Sequence, residues 1–459
     1  MQRHRWIRFG IVSITVVLLA AAPLSAAEAT WKVGLAKANI TPGKPIWLAG
    51  YGSRDHGCEG TLHDLWIKVL ALESADGQRA VVLTSDLLGF PRNMHERICA
   101  ELKTRCNLEP AQVMLNASHT HSAPVLRDAL YDIYPLDDEQ RALIEEYSAE
   151  LEKLVVETIE KALAEPTPAT LWAGEGTVDF AVNRRNNPVA QVIEARKKGE
   201  PLVGPVDHDV PVLAARGPDD ALRAVVFGYA CHGTTLSFYR SSGDYAGFAQ
   251  IALEEDNPDT LAMFYAGCGA DQNPLPRRSV ARCGKYGFAL AEAVEQVLDK
   301  KKAMRPIAPK LQTALEFVDL DFEKPLSRED LEAAVKKGSY WGRRGKRLLE
   351  KLDRGESLPT SYPYPVQVWK LGDDQLWITL GGEVVVDYSL RFKSTYGPQT
   401  WVAGYTNDVM SYIPSHRVWE EGGYESSAFF VYGQPADRWA PDIEDRIAAA
   451  VQRLVEKLK

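Results

Sequence analysis

The stretch Asn116-Ala117-Ser118-His119-Thr120-His121-Ser122 holds two of the nine histidines in the chain, one residue apart. They follow an apolar run, Val113-Met114-Leu115, that predicts a short buried strand. In extended backbone, residues i and i+2 point to the same side. His119 and His121 are therefore expected to share one pocket at a strand end. Neutral imidazole is a common metal ligand and a common acid/base group. Other polar groups stand just after apolar runs in the same way: Asn183-Arg184-Arg185, Cys231-His232-Gly233, Asp271-Gln272-Asn273 and Gly382-Glu383. Taken singly, each has a bland reading. His232 reads as a satisfied core histidine, the paired arginines as a solvated turn, and Cys231 and Cys268 as buried thiols. Asp86 reads equally as a supporting acid or a cap. The repetition is the signal, because polar groups gather at strand ends when several strands converge on one pocket.

The elements that must position these groups interleave strand and helix. Strand patterns occur at 31–40, 65–72, 80–84, 171–182, 210–215, 222–229 and 261–265. Helical spacing marks 93–106, 137–164 and 282–302, and Ser241-Ser242-Gly243-Asp244 reads as the cap of another helix. Beyond Pro306 the pattern predicts a strand at 311–320 and a hairpin of 366–371 with 375–380. A helix through Phe392, a strand at 401–405 and a last helix at 442–458 follow. Residues 327–355 are strongly charged, with acids and bases interleaved, and read as a surface helical hairpin. The class is α/β, or α+β: a single large domain with a mixed β-sheet core flanked by helices, and with a candidate site at strand ends whose histidine pair reads as a metal or catalytic site or as satisfied loop histidines.

The totals narrow the function classes. With 459 residues, 25% charged and 45% hydrophobic, the chain has the composition of a globular protein with a large core. Its formal net charge is -9 and no basic run stands out, which argues against a nucleic-acid partner. Eleven Trp and eighteen Tyr suit a cleft for a sugar-like or apolar ligand, but a large core uses them more often. Arg3, Arg5 and Arg8 precede an apolar stretch at 9–22 and the small residues Ser25-Ala26-Ala27. This is the pattern of a secretory signal over 1–27, leaving 28–459 as a secreted or periplasmic product. Six cysteines form no CxxC pair, and their connectivity cannot be deduced from spacing.

Together, these segments resemble the neutral/alkaline non-lysosomal ceramidase family, from about Gly34 to Glu425. The matching signals are Ile40-Thr41-Pro42, His119-Thr120-His121-Ser122 with Pro124, Asn183-Arg184, His232-Gly233-Thr234 and Asp244. Gly382-Glu383, Asn407, Tyr412 and Tyr424-Glu425 continue the series. Each is weak alone, and their shared order makes the match specific. The resemblance implies an amidohydrolase holding one zinc ion on His119, His232, Glu383 and Tyr412. Two imidazoles, a carboxylate and a phenolate are donors that suit Zn²⁺, although a Tyr ligand needs the metal to lower its pKa. The resemblance also implies that zinc makes hydroxide available for attack on an amide carbonyl. His121 would then act as acid and base, with Arg184 and Tyr424 stabilising the oxyanion. The implied substrate is ceramide or a related lipid-like N-acyl compound, met in transient contact with a membrane surface.

Three departures stand out. The family carries an Asp-x-Ser-Pro-Asn segment whose serine has been assigned a catalytic role, and here the stretch reads Asp271-Gln272-Asn273-Pro274-Leu275. Asn273 has no hydroxyl and is no nucleophile. It is expected to serve as a hydrogen-bond donor, or else the activity has changed. The glycine-rich tail of the family's HTHS motif is replaced by Ala123-Pro124-Val125-Leu126, and the family's C-terminal immunoglobulin-like domain is missing. A zinc hydrolase of a different amide or ester, and a non-catalytic binding protein that retains the pocket, are the alternatives. A closed structural zinc site is disfavoured, since Cys and His dominate there.

Overall fold

The computed structural model describes residues 30–459. The secretory signal read at 1–27 lies outside them. Among the described residues, no helix is long and apolar enough to cross a membrane.

Period-two burial along the strands builds four layers. The large sheet runs in the order Leu261–Ala266, Leu222–Tyr229, Asp209–Arg216, Thr167–Thr177, Trp31–Asn39, Trp66–Glu73, Arg79–Ser85, Val113–Ala117. Arg305–Ile307 adds to Thr167–Thr177 off this path. The two outermost pairs are parallel and the inner ladders antiparallel. On one face Val69, Leu83 and Leu115 meet the helices Arg92–Cys106 and Asp138–Ala164. Val212, Phe227 and Phe264 on the same face meet Asp244–Asp256 and Val280–Asp299. The alternate residues, such as Leu70, Val82, Met114 and Met263, pack on a second sheet through Trp369, Trp377 and Trp401. That sheet runs Leu311–Asp321, Ser361–Leu371, Gln375–Leu380, Trp401–Ala403, and its outer face is covered by the helix Ile443–Lys457. Alternating burial on both faces of both sheets gives the expected α/β class, in the form of a helix–sheet–sheet–helix sandwich. Six tryptophans, Trp31, Trp47, Trp369, Trp377, Trp401 and Trp439, fall in the core, while Trp66, Trp172, Trp341 and Trp419 are half-buried.

One side chain closes the arrangement. Asn116 is fully buried on the edge strand Val113–Ala117. Its Oδ1 accepts from Ala266 N at 2.9 Å, at the end of the opposite edge strand. Its Nδ2 donates to Gly404 O at 2.8 Å and Thr406 Oγ1 at 3.0 Å, beyond the second sheet. Asn407 adds a backbone donor and a side-chain acceptor to Leu115. The edge is thus capped, and three strand ends from distant sequence meet at one place.

Three local expectations change. The single strand read at 171–182 is two strands, Thr167–Thr177 and Ala181–Asn183. Gly243 takes the cap position, and the Asp244 carboxylate accepts from Tyr245 N in the first turn. It also accepts from the backbone N–H groups of Thr235 and Leu236 and so fixes the loop after His232. The charged segment does form two helices, Arg328–Lys337 and Ser339–Asp353, but it is no mere solvated hairpin. Arg344 is buried and donates to Gln434 O, Ala436 O and Asp437, while Arg347 grips Asp132 and Gly433 O. All six cysteines are free thiols, with Cys231 and Cys268 buried as expected.

Candidate metal centre and substrate groove

The strand Val113–Ala117 ends before the histidine pair, and His119 takes a left-handed backbone with φ 57°. The extended i, i+2 geometry is therefore not what brings His119 and His121 together. A sharp reversal does so, leaving their Nε2 atoms 3.2 Å apart. The second loop arrives beside the first. His121 N donates to Gly233 O at 3.1 Å, and Thr120 bridges Gly233. A Cβ at position 233 would stand 2.9 Å from His119 O, so glycine after His232 permits this approach. Gly50, at φ 96°, lies so close to the His121 ring that no side chain fits there. Glu383 comes from a third direction. It sits on a two-residue strand paired in parallel with Tyr412–Ile413, with Glu383 and Tyr412 in register.

Hydrogen bonds fix the state of the rings. His119 Nδ1 lies 2.7 Å from Leu88 O, and His232 Nδ1 lies 2.8 Å from Gly269 O. A carbonyl only accepts, so each Nδ1 carries the proton, and each Nε2 of a neutral ring presents a lone pair. Burial, with Arg184 adding to it, pushes the His232 imidazole down to about 4, and burial likewise lowers His121 well below its ordinary value. Both lone pairs meet the same oxygen: Glu383 Oε2 is 3.2 Å from His119 Nε2 and 3.0 Å from His232 Nε2. His232 Nε2 and Glu383 Oε2 are close but form no hydrogen bond, and both are buried without a partner. Three acceptor atoms therefore converge with no donor between them. Such an arrangement is costly when dry and fits a cation. His119, His121 and His232 also offer ring nitrogens within 4.8 Å of one another.

The carboxylate is oriented from behind. Tyr432 donates its hydroxyl to Glu383 Oε1 at 2.5 Å, the kind of outer contact that aims a metal-binding carboxylate. Nothing in Val431-Tyr432-Gly433 announces this role in the sequence. Tyr51, whose ring lies 4.9 Å from that of His121, and Tyr405, 4.4 Å from that of His119, are further aromatic walls that the motifs do not mark.

Tyr412 lies next to Glu383, and its hydroxyl accepts from Arg184 Nη2 at 3.3 Å. Its ring packs 5.2 Å from that of Tyr424. Arg184 also donates to Glu425 at 2.7 Å, and Arg185 donates to the other oxygen of Glu425 at 2.6 Å. The paired arginines thus clamp a carboxylate of the chain itself, where a solvated turn was the bland reading. Arg184, Asn273, Tyr424 and Glu425 line an open groove of about 730 Å³. Asn273 Oδ1 accepts from Thr234 Oγ1 at 3.2 Å, which leaves its amide N–H groups for the groove. Asp271 holds this region together, accepting from Val386 N and Asn183 Nδ2 while its carbonyl accepts from Arg184 N. Asp86 accepts from Trp66 N and Gln250, and its hydrogen bonds do not run to His119, His121 or His232.

Comparison with known proteins agrees with this geometry. The family model described as neutral/alkaline non-lysosomal ceramidase, N-terminal, matches residues 31–269. That span contains His119, His121, Arg184 and His232 and ends before Asn273. A crystal structure of neutral ceramidase from Pseudomonas aeruginosa aligns with TM-score 0.70 and 18% identity, over 93% of this chain and 74% of that one. A ceramidase complexed with C2 aligns with TM-score 0.69 and 17% identity, over 93% and 76%. At these identities the likeness is one of fold. A search of curated proteins finds no match.

Proposed function

The chain belongs to the neutral/alkaline non-lysosomal ceramidase family, enzymes that hydrolyse the ceramide amide bond, and on that premise we propose that it is an exported zinc-dependent amidohydrolase. Its substrate is ceramide or a related N-acylated lipid. The observation that carries this reading is the meeting of His119 Nε2, His232 Nε2 and Glu383 Oε2 without a donor among them. These three residues hold the ion, with Tyr412 as the fourth ligand. Two imidazoles and a carboxylate are the donor set of an open, catalytic zinc site. Bound there, zinc supplies Lewis acidity and brings the pKa of water to about 7.

The remaining steps belong to the chain's own side chains. His121 stands against the cluster with Nδ1 buried and unpartnered. It takes a proton from the attacking water as oxygen bonds to the carbonyl carbon. The Arg184 guanidinium and the Tyr424 hydroxyl, side by side at the groove, stabilise the charge that develops on the carbonyl oxygen. The Asn273 amide donates to the same substrate and, lacking a hydroxyl, forms no covalent intermediate. The C–N bond then breaks, the amine nitrogen takes the proton from His121, and a carboxylic acid and an amine leave.

The test is fatty-acid release from an N-acylsphingosine by purified protein of measured zinc content, before and after chelation. Release that chelation abolishes and zinc restores is the expected result. No release from zinc-loaded protein would remove ceramide as the substrate.

A further inference from the structure

The groove beside the histidine cluster is a poor receptor for a hydrocarbon chain. Its only aliphatic lining comes from Pro188, Val189 and Leu275. Three arginines and two glutamates line it, within a chain whose net charge is -9. The arginines are not equivalent. Arg184 and Arg185 are committed to Glu425, and Arg185 also to Glu421. Arg277, half-buried, donates at 2.9 Å to Thr234 Oγ1, a neutral hydroxyl. Its neighbour Arg278 donates at 3.0 Å to the Tyr51 hydroxyl. Neither guanidinium has a carboxylate partner among the described residues. Burial, followed by the charge of Arg278, pulls the Arg277 pKa down, which is the condition an arriving anion relieves.

Both arginines connect to the centre through one residue. Thr234 lies two positions after His232, and its hydroxyl also holds Asn273. Tyr51 packs against His121. Arg278 is moreover held at φ 83°, an uncommon backbone for a side-chain-bearing residue, with its N–H on Thr235 O at 2.7 Å. A half-buried guanidinium that lines the groove without a carboxylate partner, with an exposed second arginine held beside it in strained backbone, points to recognition of an anion.

We propose that this groove takes the amine-side portion of the substrate, and that this portion carries a carboxylate bound by Arg277 with Arg278 beside it. The preferred substrate class is then an N-acylated amino acid, not a neutral N-acylated alcohol. The inference rests on the amidohydrolase reading above and, within its substrates, ranks a related N-acylated compound ahead of ceramide. Arginine pairs bidentately with carboxylate, and a hydrogen bond to a charged group contributes roughly 1.5–3 kcal/mol, about a 10- to 100-fold preference.

The experiment uses the zinc-loaded protein and two amides with the same acyl chain, N-lauroylglycine and N-lauroylethanolamine. The expected result is a kcat/KM ratio of about 10 to 100 in favour of the glycine conjugate, falling towards unity in Arg277→Gln and partly regained in Arg277→Lys. A preference for the ethanolamide, or a ratio unchanged by Arg277→Gln, overturns the proposal and leaves the hydrolase reading intact. If neither amide is cleaved, calorimetric binding of N-lauroylglycine separates the two ideas. Binding that Arg277→Gln weakens tenfold or more supports the groove assignment, and the hydrolase reading is then decided by the N-acylsphingosine test above. No binding to the wild-type protein overturns the groove assignment.

Discussion

Glu383 and Glu425 are buried to nearly the same depth, 3% and 4% exposed, yet their surroundings are opposite. Glu425 receives real hydrogen bonds from two guanidiniums. Burial pushes its carboxyl up, but the Arg184 and Arg185 charges outweigh this and hold it below the ordinary range. Glu383 meets two imidazole lone pairs and has one donor, Tyr432, on its far oxygen. The first carboxylate is complete within the protein, and the second, on the function proposed above, would be completed by a cation. On that reading the difference separates a clamp from a candidate metal site.

The largest test exchanges each carboxylate for an amide. Glu383→Gln is expected to lose zinc and reduce hydrolysis to background, measured by metal analysis and turnover on the same sample. The same change puts an N–H donor opposite the imidazole lone pairs. The metal-free variant should therefore be more stable than metal-free wild type, by about 1–3 kcal/mol in urea unfolding. Equal or lower stability would mean that the acceptors are satisfied in some other way. Glu425→Gln should behave in reverse, keeping its zinc while losing on the order of 3 kcal/mol, because Arg184 loses its counter-charge and Arg185 keeps only Glu421.

His121→Ala distinguishes proton transfer from ligation. Turnover should fall by about 10²- to 10⁴-fold with zinc content near wild type. Zinc loss with unchanged turnover per bound ion would make His121 a ligand instead. Tyr432→Phe removes only the donor behind Glu383, and a metal affinity lower by roughly 10- to 100-fold, read by competition with a chelator, is expected. An unchanged affinity would show that packing alone orients Glu383.

The smallest effect concerns Asp408, a buried acid outside the centre. Burial raises its carboxyl to about 7, against the donation of the Tyr362 hydroxyl at 2.6 Å. Between its ordinary value near 4 and 7, the folded state binds the proton that the unfolded state has lost. Stability from this group is thus greatest at low pH and declines as pH rises through 7. Asp408→Asn should match wild type near pH 5 and exceed it near pH 8 by on the order of 2 kcal/mol. Parallel pH profiles for the two proteins would rule this out.

Much of this was readable in advance, for physical reasons. Period-two apolar runs mark the strands, because burial on two faces demands it. His119, His121, His232 and Glu383 stand just after such runs, so their convergence follows from the layering. What escapes the sequence depends on distance or on exceptions to local rules. A histidine in left-handed backbone breaks the extended reading of His-x-His, though the pair still meets. Arg184 and Arg185 look solvated because Glu425 lies 240 positions beyond Arg185. Arg344 sits in a run of charge that reads as surface, and only the fold shows the buried carbonyls it serves. Tyr432 is one tyrosine among eighteen, and only its neighbour distinguishes it.

The contacts of Asn116 bear on how the protein reaches this state. Its two donated bonds span 288 and 290 positions, and the bond it accepts spans 150. Chain closure over such separations is slow and comes late, after local helices and hairpins have formed. The centre cannot mature while the C-terminal third is still being synthesised, because Glu383 and the 404–407 segment have yet to appear. A nascent chain therefore carries its histidines without a competent site. Hydrolytic power, and with it any hazard to the producing cell's own lipids, arises only when the last part of the polypeptide docks.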